Sequence, residues 1–336
     1  MTDTQVLFLI CSVSFAGALA MTPLARRLAL KTGFIDQPNQ RKVHGVAIPL
    51  MGGVAICGAV LGALFLCGHH YVQELFGILS AAFLLFVVGL IDDRRHLPCS
   101  VRLAVQTTVA VYLYFNGVQV RLHWLPDSVN CLLTLLWLVG ITNASNLLDN
   151  MDGLNGGISA IAAAFFTVMA ALHGQFMVAS LSAAVLGACI GFLVFNSRPA
   201  SIFMGDAGSL FLGLLLAVIG IKLRFPDNVN MVTWMVPVLV MGIPIFDTTL
   251  VFVSRLRRGL NPLTAAGKDH TSHRLVDHGF SHLRAVIILY GGAIVCGMLG
   301  WWVLKSSWAN GYKIGAGALV VAVWLLWRME WTWKKG

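Results

Sequence analysis

Apolar runs of roughly 18–22 residues, the length a helix needs to cross hydrocarbon, recur from one end of the chain to the other. Eleven of them predict helices, at about 5–25, 47–68, 74–91, 100–118, 129–148, 156–173, 176–195, 208–223, 230–253, 285–304 and 312–330. The run at 208–223 is the shortest. Polar residues collect between the runs and alternate in character. One set of loops is short and nearly free of reactive side chains. The other is longer and rich in Asp, Asn, His, Gly and Arg. The pattern predicts an all-α polytopic integral membrane protein, with about eleven transmembrane helices in a single domain over 1–336.

Composition agrees. Only 11% of the 336 residues are charged, and mean hydropathy is +0.81. A soluble domain cannot hide that much apolar surface. The basic residues orient the chain, because 18 of the 23 Lys and Arg fall in one set of alternate loops and 5 in the other. The positive-inside rule puts the N-terminus outside and the C-terminus in the cytoplasm. The net charge of +9 therefore reads mostly as topology, with a contribution to holding anionic membrane lipids, and does not suggest nucleic acid. The first run lacks the leading positive charge of a secretory signal, since Asp3 precedes it and Arg26 and Arg27 follow, and it reads as an uncleaved span. The seven cysteines are scattered without metal-ligand spacing and read as small, soft core residues.

Six aspartates lie at the ends of apolar runs, all on the predicted cytoplasmic side: Asp92, Asp93, Asp149, Asp152, Asp206 and Asp247. Carboxylates gathered at one rim of a bundle repel one another, a cost usually offset by a hard cation and the phosphates it carries. The loops at about 26–46, 92–99, 149–157, 196–208 and 254–284 hold the candidate chemistry. In the first, Arg41, Lys42 and His44 suit a phosphate, although plain positive-inside flanking explains them as well. Asp92 and Asp93 end a predicted helix, where the dipole disfavours them unless a cation or a proton-transfer role compensates. Asp149 and Asp152 would share one face of a helical turn, and Asn146 and Asn150 add amides suited to a base or sugar. Asp206 precedes a predicted helix, as an N-cap acid does, and Phe203 is an aromatic able to stack a flat ring. The arginines of the last loop, with His270 and His273, suit a diphosphate. A zinc site would need more nitrogen or sulfur ligands nearby.

These segments resemble the polyprenyl-phosphate N-acetylhexosamine-1-phosphate transferase family. The resemblance rests on Gly-Leu-Ile-Asp92-Asp93, Asn146-Leu-Leu-Asp149-Asn-Met-Asp152-Gly-Leu-Asn-Gly-Gly, Phe-Asn196-Ser-Arg-Pro-Ala-Ser-Ile-Phe203-Met-Gly-Asp206-Ala-Gly-Ser, Pro-Ile-Phe-Asp247-Thr and the His44 to Gly53 stretch. It covers essentially the whole chain, in order. It implies transfer of a sugar 1-phosphate from a UDP-linked N-acetyl sugar to undecaprenyl phosphate, with release of UMP, at the cytoplasmic face of a bacterial inner membrane. Such a step serves cell-envelope glycan synthesis. It further implies magnesium, with manganese as an alternative ion, and is compatible with a homodimer. By position, Asp206 looks like the family's metal ligand, with Asp149 beside it. Phe203 looks like the uracil-stacking aromatic, and Asn196 like a polar residue of the nucleotide pocket. Asp149 and Asp152 match acidic pocket residues. Asp92 looks like the aspartate proposed to deprotonate the lipid phosphate, with Asp93 next to it. His270, His273 and Arg274 fall in the family's histidine motif. In the N-acetylglucosamine branch that motif often reads His-x-His-His-Arg, whereas Ser272 occupies the third place here. The three-histidine run of the branch that makes the first peptidoglycan lipid is absent. The N-acetylglucosamine branch is therefore expected. A transporter is the alternative of another class, opposed by acids at one rim rather than at the bilayer midplane. A CDP-alcohol phosphotransferase matches only Asp149-x-x-Asp152-Gly153.

Overall fold

In the computed structural model, which describes residues 2–36, 47–67, 73–225, 230–265 and 267–333, the apolar runs fold as helices. The first, α1 (Asp3–Thr32), opens on a reciprocal cap: the Thr2 hydroxyl accepts the Gln5 N–H, and the Gln5 side chain accepts the Thr2 N–H. It ends at Gly33, whose φ of 73° a side chain would disfavour. Strands β1 (Ile35–Asp36) and β2 (Ile48–Pro49) then pair antiparallel, with Ile35 opposite Pro49. Helices α2 (Gly52–Cys67), α3 (Gln73–Arg95), α4 (Cys99–Phe115), α5 (Asp127–Leu148), α6 (Leu154–Leu172), α7 (Phe176–Asn196) and α8 (Gly205–Lys222) follow. The chain closes with α9 (Asn230–Thr233), α10 (Met235–Val240), α11 (Gly242–Arg257), α12 (Thr271–Asp277), α13 (His282–Lys305) and α14 (Trp308–Thr332).

Among the described residues, eight helices are long and apolar enough to cross a membrane: α1, α3, α5, α6, α7, α8, α13 and α14. The single helix expected over 230–253 is instead broken. Residues 231–240 and 242–257 meet at a bend of 75°, and if the pair counts as one span the described residues hold up to nine that are long and apolar enough to cross. The break has a local cause: Pro244 has no N–H to donate to the Val240 carbonyl, so that bond is missing at the bend, while Met241 still donates to the Pro237 carbonyl and accepts the Ile245 N–H. Two further apolar helices, α2 and α4, are shorter, at 16 and 17 residues.

The shortest predicted run became the centre of the bundle. Every residue of α8 from Ala207 to Ile221 is buried. Without a hydrophobic drive between helices in lipid, such packing relies on small residues that let backbones touch. A Cβ on Gly53 of α2 would lie 2.3 Å from the Gly208 nitrogen, and one on Gly89 of α3 would lie 2.5 Å from the Asp206 carbonyl oxygen. Gly89→Ala is therefore expected to cost about 2–3 kcal/mol through overpacking against backbone that cannot turn aside. A fall of several degrees in melting temperature in detergent checks this, with Gly140→Ala as control, because a Cβ there meets nothing within 4 Å. At the other extreme lies α14, on which only Gly311 and Glu330 are buried.

Candidate functional site

The ends of α3, α5 and α7 and the starts of α8 and α13 surround one cavity of about 850 Å³. Asp93, Asp149, Asp152 and Asp206 line it together with Phe203 and His273. Its charge is built from helix ends. Asp93 sits in the last turn of α3, where the helix dipole opposes it. Its carboxylate accepts the backbone N–H groups of Asp206 at 2.7 Å and Ala207 at 3.2 Å, at the positive start of α8. One acid thus caps the helix that carries another. Gly205, with φ 72°, makes this fit possible, since a Cβ there would lie 2.5 Å from Asp93 Oδ2.

Asp206 is held in turn by Asn146, whose Nδ2 donates to Asp206 Oδ1 at 2.6 Å and to Ser209 Oγ at 2.9 Å. Arg102 of α4 lies between two acids, with Nη1 2.9 Å from Asp92 Oδ2 and 3.5 Å from Asp206 Oδ2. Asp149 and Asp152 do not share a helical face as expected. They occupy the turn between α5 and α6, where Gly153 takes a φ of 75°. The turn still directs both into the cavity, and Asp152 Oδ2 accepts the Ala200 N–H at 3.2 Å. Burial, followed by the charges of Asp206 and Asp152, pushes the Asp149 carboxyl up to about 7.

Phe203 is half-buried and locked by backbone: its N–H donates to the Pro49 carbonyl, and its own carbonyl accepts the Gly52 N–H, both at 2.9 Å. Asn196 lines the cavity but is 3% exposed. Its amide stitches two loops, accepting the Gly153 N–H at 3.1 Å and donating to the Ile202 carbonyl at 2.9 Å.

The histidine segment divides. Only His273 reaches the cavity. Burial, then the neighbouring His270 and Lys268, lower its imidazole to about 4, so it is neutral at pH 7 and offers one N–H rather than a positive charge. His270 is turned away, its Nδ1 2.8 Å from Asp247 Oδ2, and the Thr271 N–H donates to Asp247 Oδ1 at 2.7 Å. Ser272, at the position where the family motif carries a histidine, is 1% exposed and donates to Asn150 Oδ1 at 2.6 Å. It is a latch between α12 and the turn after α5 and does not face the cavity. Arg274, expected at the substrate, is fully buried against α14: its Nη1 donates to the Met329 carbonyl at 2.8 Å and lies 2.8 Å from Glu330 Oε2. Asp92 is likewise outside the cavity. It is 3% exposed, and its oxygens accept the Leu97 N–H at 2.6 Å and Arg102 at 2.9 Å. His44 lies outside the described residues.

Several cavity residues escaped the sequence reading. Arg26 and Arg198 line it; the first reads there only as a topology charge, and the second stands in a quoted motif without a role of its own. Tyr290 of α13 donates to the Gly153 carbonyl at 2.6 Å, in a helix that carries no sequence motif. Leu283 and Ile287 of the same helix line the cavity while remaining 56% and 57% exposed, so the acidic chamber has an apolar side.

The carboxylates suit a hard divalent ion, and Asp149 and Asp206 are the pair whose mutual repulsion such an ion would relieve. Among the described residues no group of three or more His, Cys, Asp or Glu side chains converges closely enough to hold a metal alone. An ion held there would be completed by ligands from outside this set, as substrate phosphates complete a magnesium site.

Comparison with known proteins identifies the family. The family model described as Glycosyl transferase family 4 matches residues 75–224, which contain Asp93, Asp149, Asp152 and Asp206 of the cavity wall. A Bacillus subtilis (strain 168) protein named as a probable undecaprenyl-phosphate N-acetylglucosaminyl 1-phosphate transferase is 37% identical over 83% of this chain and 79% of its own length. The decaprenyl-phosphate N-acetylglucosaminephosphotransferase of Mycobacterium tuberculosis (strain H37Rv) is 33% identical, over 88% of this chain and 82% of its own. The undecaprenyl-phosphate alpha-N-acetylglucosaminyl 1-phosphate transferase of Yersinia pestis is 28% identical, over 85% and 81%. With the motifs in register along the chain and the acids gathered in one chamber, this polytopic membrane protein belongs to glycosyl transferase family 4, among the polyprenyl-phosphate N-acetylglucosamine-1-phosphate transferases.

Proposed function

We propose that the chain transfers N-acetylglucosamine 1-phosphate from UDP-N-acetylglucosamine to undecaprenyl phosphate. The observation that carries this reading is the single chamber in which Asp93, Asp149, Asp152 and Asp206, a locked aromatic and an apolar helix side meet. The phosphate oxygen of the lipid attacks the sugar-bearing phosphorus. The bond from that phosphorus to the bridging oxygen breaks, UMP leaves, and the sugar remains on a lipid diphosphate. A phosphate monoester is already largely dianionic near neutral pH, its second pKa being about 6. The attack therefore needs relief of repulsion more than it needs a strong base. This removes the need for Asp92 as the base, consistent with its commitment to Arg102 and the Leu97 N–H. Asp92 then acts by fixing Arg102 next to Asp206.

Asp206 and Asp149 would hold magnesium, which when bound neutralises the diphosphate and stabilises charge on departing UMP. Arg26 and Arg198 supply fixed positive charge on the chamber wall, and neutral His273 donates a hydrogen bond to a phosphate oxygen. Phe203 stacks on the uracil. Leu283 and Ile287 border the chamber on the lipid side, where a polyprenyl tail remains in the bilayer while its phosphate enters. Counting the bent pair as one crossing and adding α2 and α4 gives eleven crossings. With the basic loops in the cytoplasm, the chamber then opens at the cytoplasmic face of a bacterial inner membrane.

Turnover in detergent micelles with magnesium, undecaprenyl phosphate and a panel of UDP-sugars tests the reading. Lipid-dependent UMP release with UDP-N-acetylglucosamine, abolished by EDTA, is expected. Activity with a different UDP-sugar alone would move the donor, and no UMP from any donor in folded protein would sink the assignment. A direct attack further predicts no exchange of labelled UMP into the donor when acceptor is absent. Phe203→Ala is expected to raise KM for the donor about tenfold through lost stacking, with a smaller change in kcat. Initial rates at varied donor concentration check this.

A further inference from the structure

The buried carboxylate of α14 has no part in the chamber. Glu330 is fully buried, although its helix otherwise faces outward. Its Oε1 accepts Arg257 Nε at 2.7 Å, and its Oε2 lies 2.8 Å from Arg274 Nη1. Arg274 is itself fully buried; its Nε donates to the Asp269 carbonyl at 3.0 Å, and its guanidinium stacks 4.2 Å from the Trp333 ring centroid. A buried ion pair is costly to desolvate, and its best-attested use is to select one arrangement over its competitors.

The arrangement selected here is that of α12. Three of its neighbouring residues are spent on docking: Thr271, through its backbone N–H, on Asp247 of α11, Ser272 on Asn150 of the turn after α5, and Arg274 on α14. His273, between the last two, is the residue left facing the cavity. A rotation of this two-turn helix about its axis would carry His273 out of the chamber. The Arg274 anchor opposes that rotation, and Glu330 supplies the anchor's countercharge from a helix more than fifty residues further along the chain.

We propose that Glu330 is a positioning residue for donor binding: acting through Arg274, it sets the rotation of α12 and so aims His273 at the diphosphate of the nucleotide sugar. This rests on the transferase reading above. It also gives α14 a part in the reaction, as a strut whose inner end braces the chamber wall.

The test is a double-mutant cycle on the full chain in lipid nanodiscs, with Glu330→Gln, His273→Ala and the pair. Glu330→Gln should raise KM for UDP-N-acetylglucosamine about tenfold and leave KM for undecaprenyl phosphate within about twofold. In the His273→Ala background the same change should cost less than about threefold, because the group it aims has gone. Equal losses in both backgrounds would overturn the proposal, as would equal rises in both KM values. If Glu330→Gln does not fold, Glu330→Asp, which keeps the charge on a shorter stem, carries the same cycle with a smaller first effect and the same criterion. A readout independent of turnover is diethylpyrocarbonate modification of His273, followed by peptide mass spectrometry with and without UDP. Wild-type His273 should be protected by UDP, and Glu330→Gln should abolish that protection. Unchanged protection in the variant overturns the proposal. Absence of turnover by the wild type with any UDP-sugar, while protection is still lost in the variant, would instead overturn the transferase reading and leave the positioning role intact.

Discussion

Asp206→Asn should lower turnover by at least about a thousandfold, the scale at which removing a charge that neutralises a phosphoryl-transfer transition state is felt. The side chain has few substitutes. Asn146 holds one oxygen at 2.6 Å, and Arg102 stands 3.5 Å from the other, so the carboxylate is aimed before any substrate arrives. An amide of the same shape keeps the packing but removes the charge that a divalent ion needs. The fold should survive, because the contact that seats the start of α8 runs from Asp93 to the backbone N–H of residue 206, which the substitution leaves in place. Initial rates with saturating UDP-N-acetylglucosamine and magnesium, set beside thermal melts of the same preparation, make the measurement. Activity within about tenfold of wild type would remove Asp206 from the centre of the reaction.

Asp149→Asn should move stability and activity in opposite directions. Burial and the charges of Asp206 and Asp152 raise this carboxyl from 3.8 to about 7. A folded-state pKa above the unfolded value means that the fold favours the protonated acid. The stabilisation is complete below the unfolded value and is lost as pH rises through about 7. Without divalent cations, the wild type should therefore weaken between pH 5 and 8, and the neutral variant should gain roughly 2 kcal/mol over it at pH 8, an amount reduced from the full shift because the chamber opens to water. Catalysis should fall by about a hundredfold or more, since the ionised form is the one that serves a metal. In the wild type, kcat/KM should rise with pH through the same window, and magnesium should draw its midpoint lower. Melts at pH 5 and 8 in EDTA decide the first half. A variant no more stable than wild type at pH 8 would mean that Asp149 is not held against its neighbours' charge.

The long apolar runs made the helices legible, because twenty consecutive apolar residues admit few other structures in lipid. The bend at Met241 was hidden by the same uniformity: the run continues through it, and only Pro244 marks the point where one bond of the ladder is missing. The acid-rich rim was legible as a set but not residue by residue. Asp92 and Asp93 are consecutive on α3 and point about 100° apart, so just one of them faces the chamber, and no local signal says which. Arg274 and Ser272 were read as motif positions when burial assigns both to docking α12. Arg102 was counted as one topology charge among many, because its place between Asp92 and Asp206 depends on how α4 turns back after Pro98.

The enclosure of α8 bears on how the protein is made. A helix buried along its length has no lipid-facing stripe by which it could slide in from the bilayer after its neighbours have closed. Its place between α3 and α5 is therefore closed only by helices on both sides of it in the sequence, α10 among them. Because the same helix begins with Asp206, the chamber is acid-complete only when that place is closed. The repelling carboxylates can therefore come together only with the packing that restrains them.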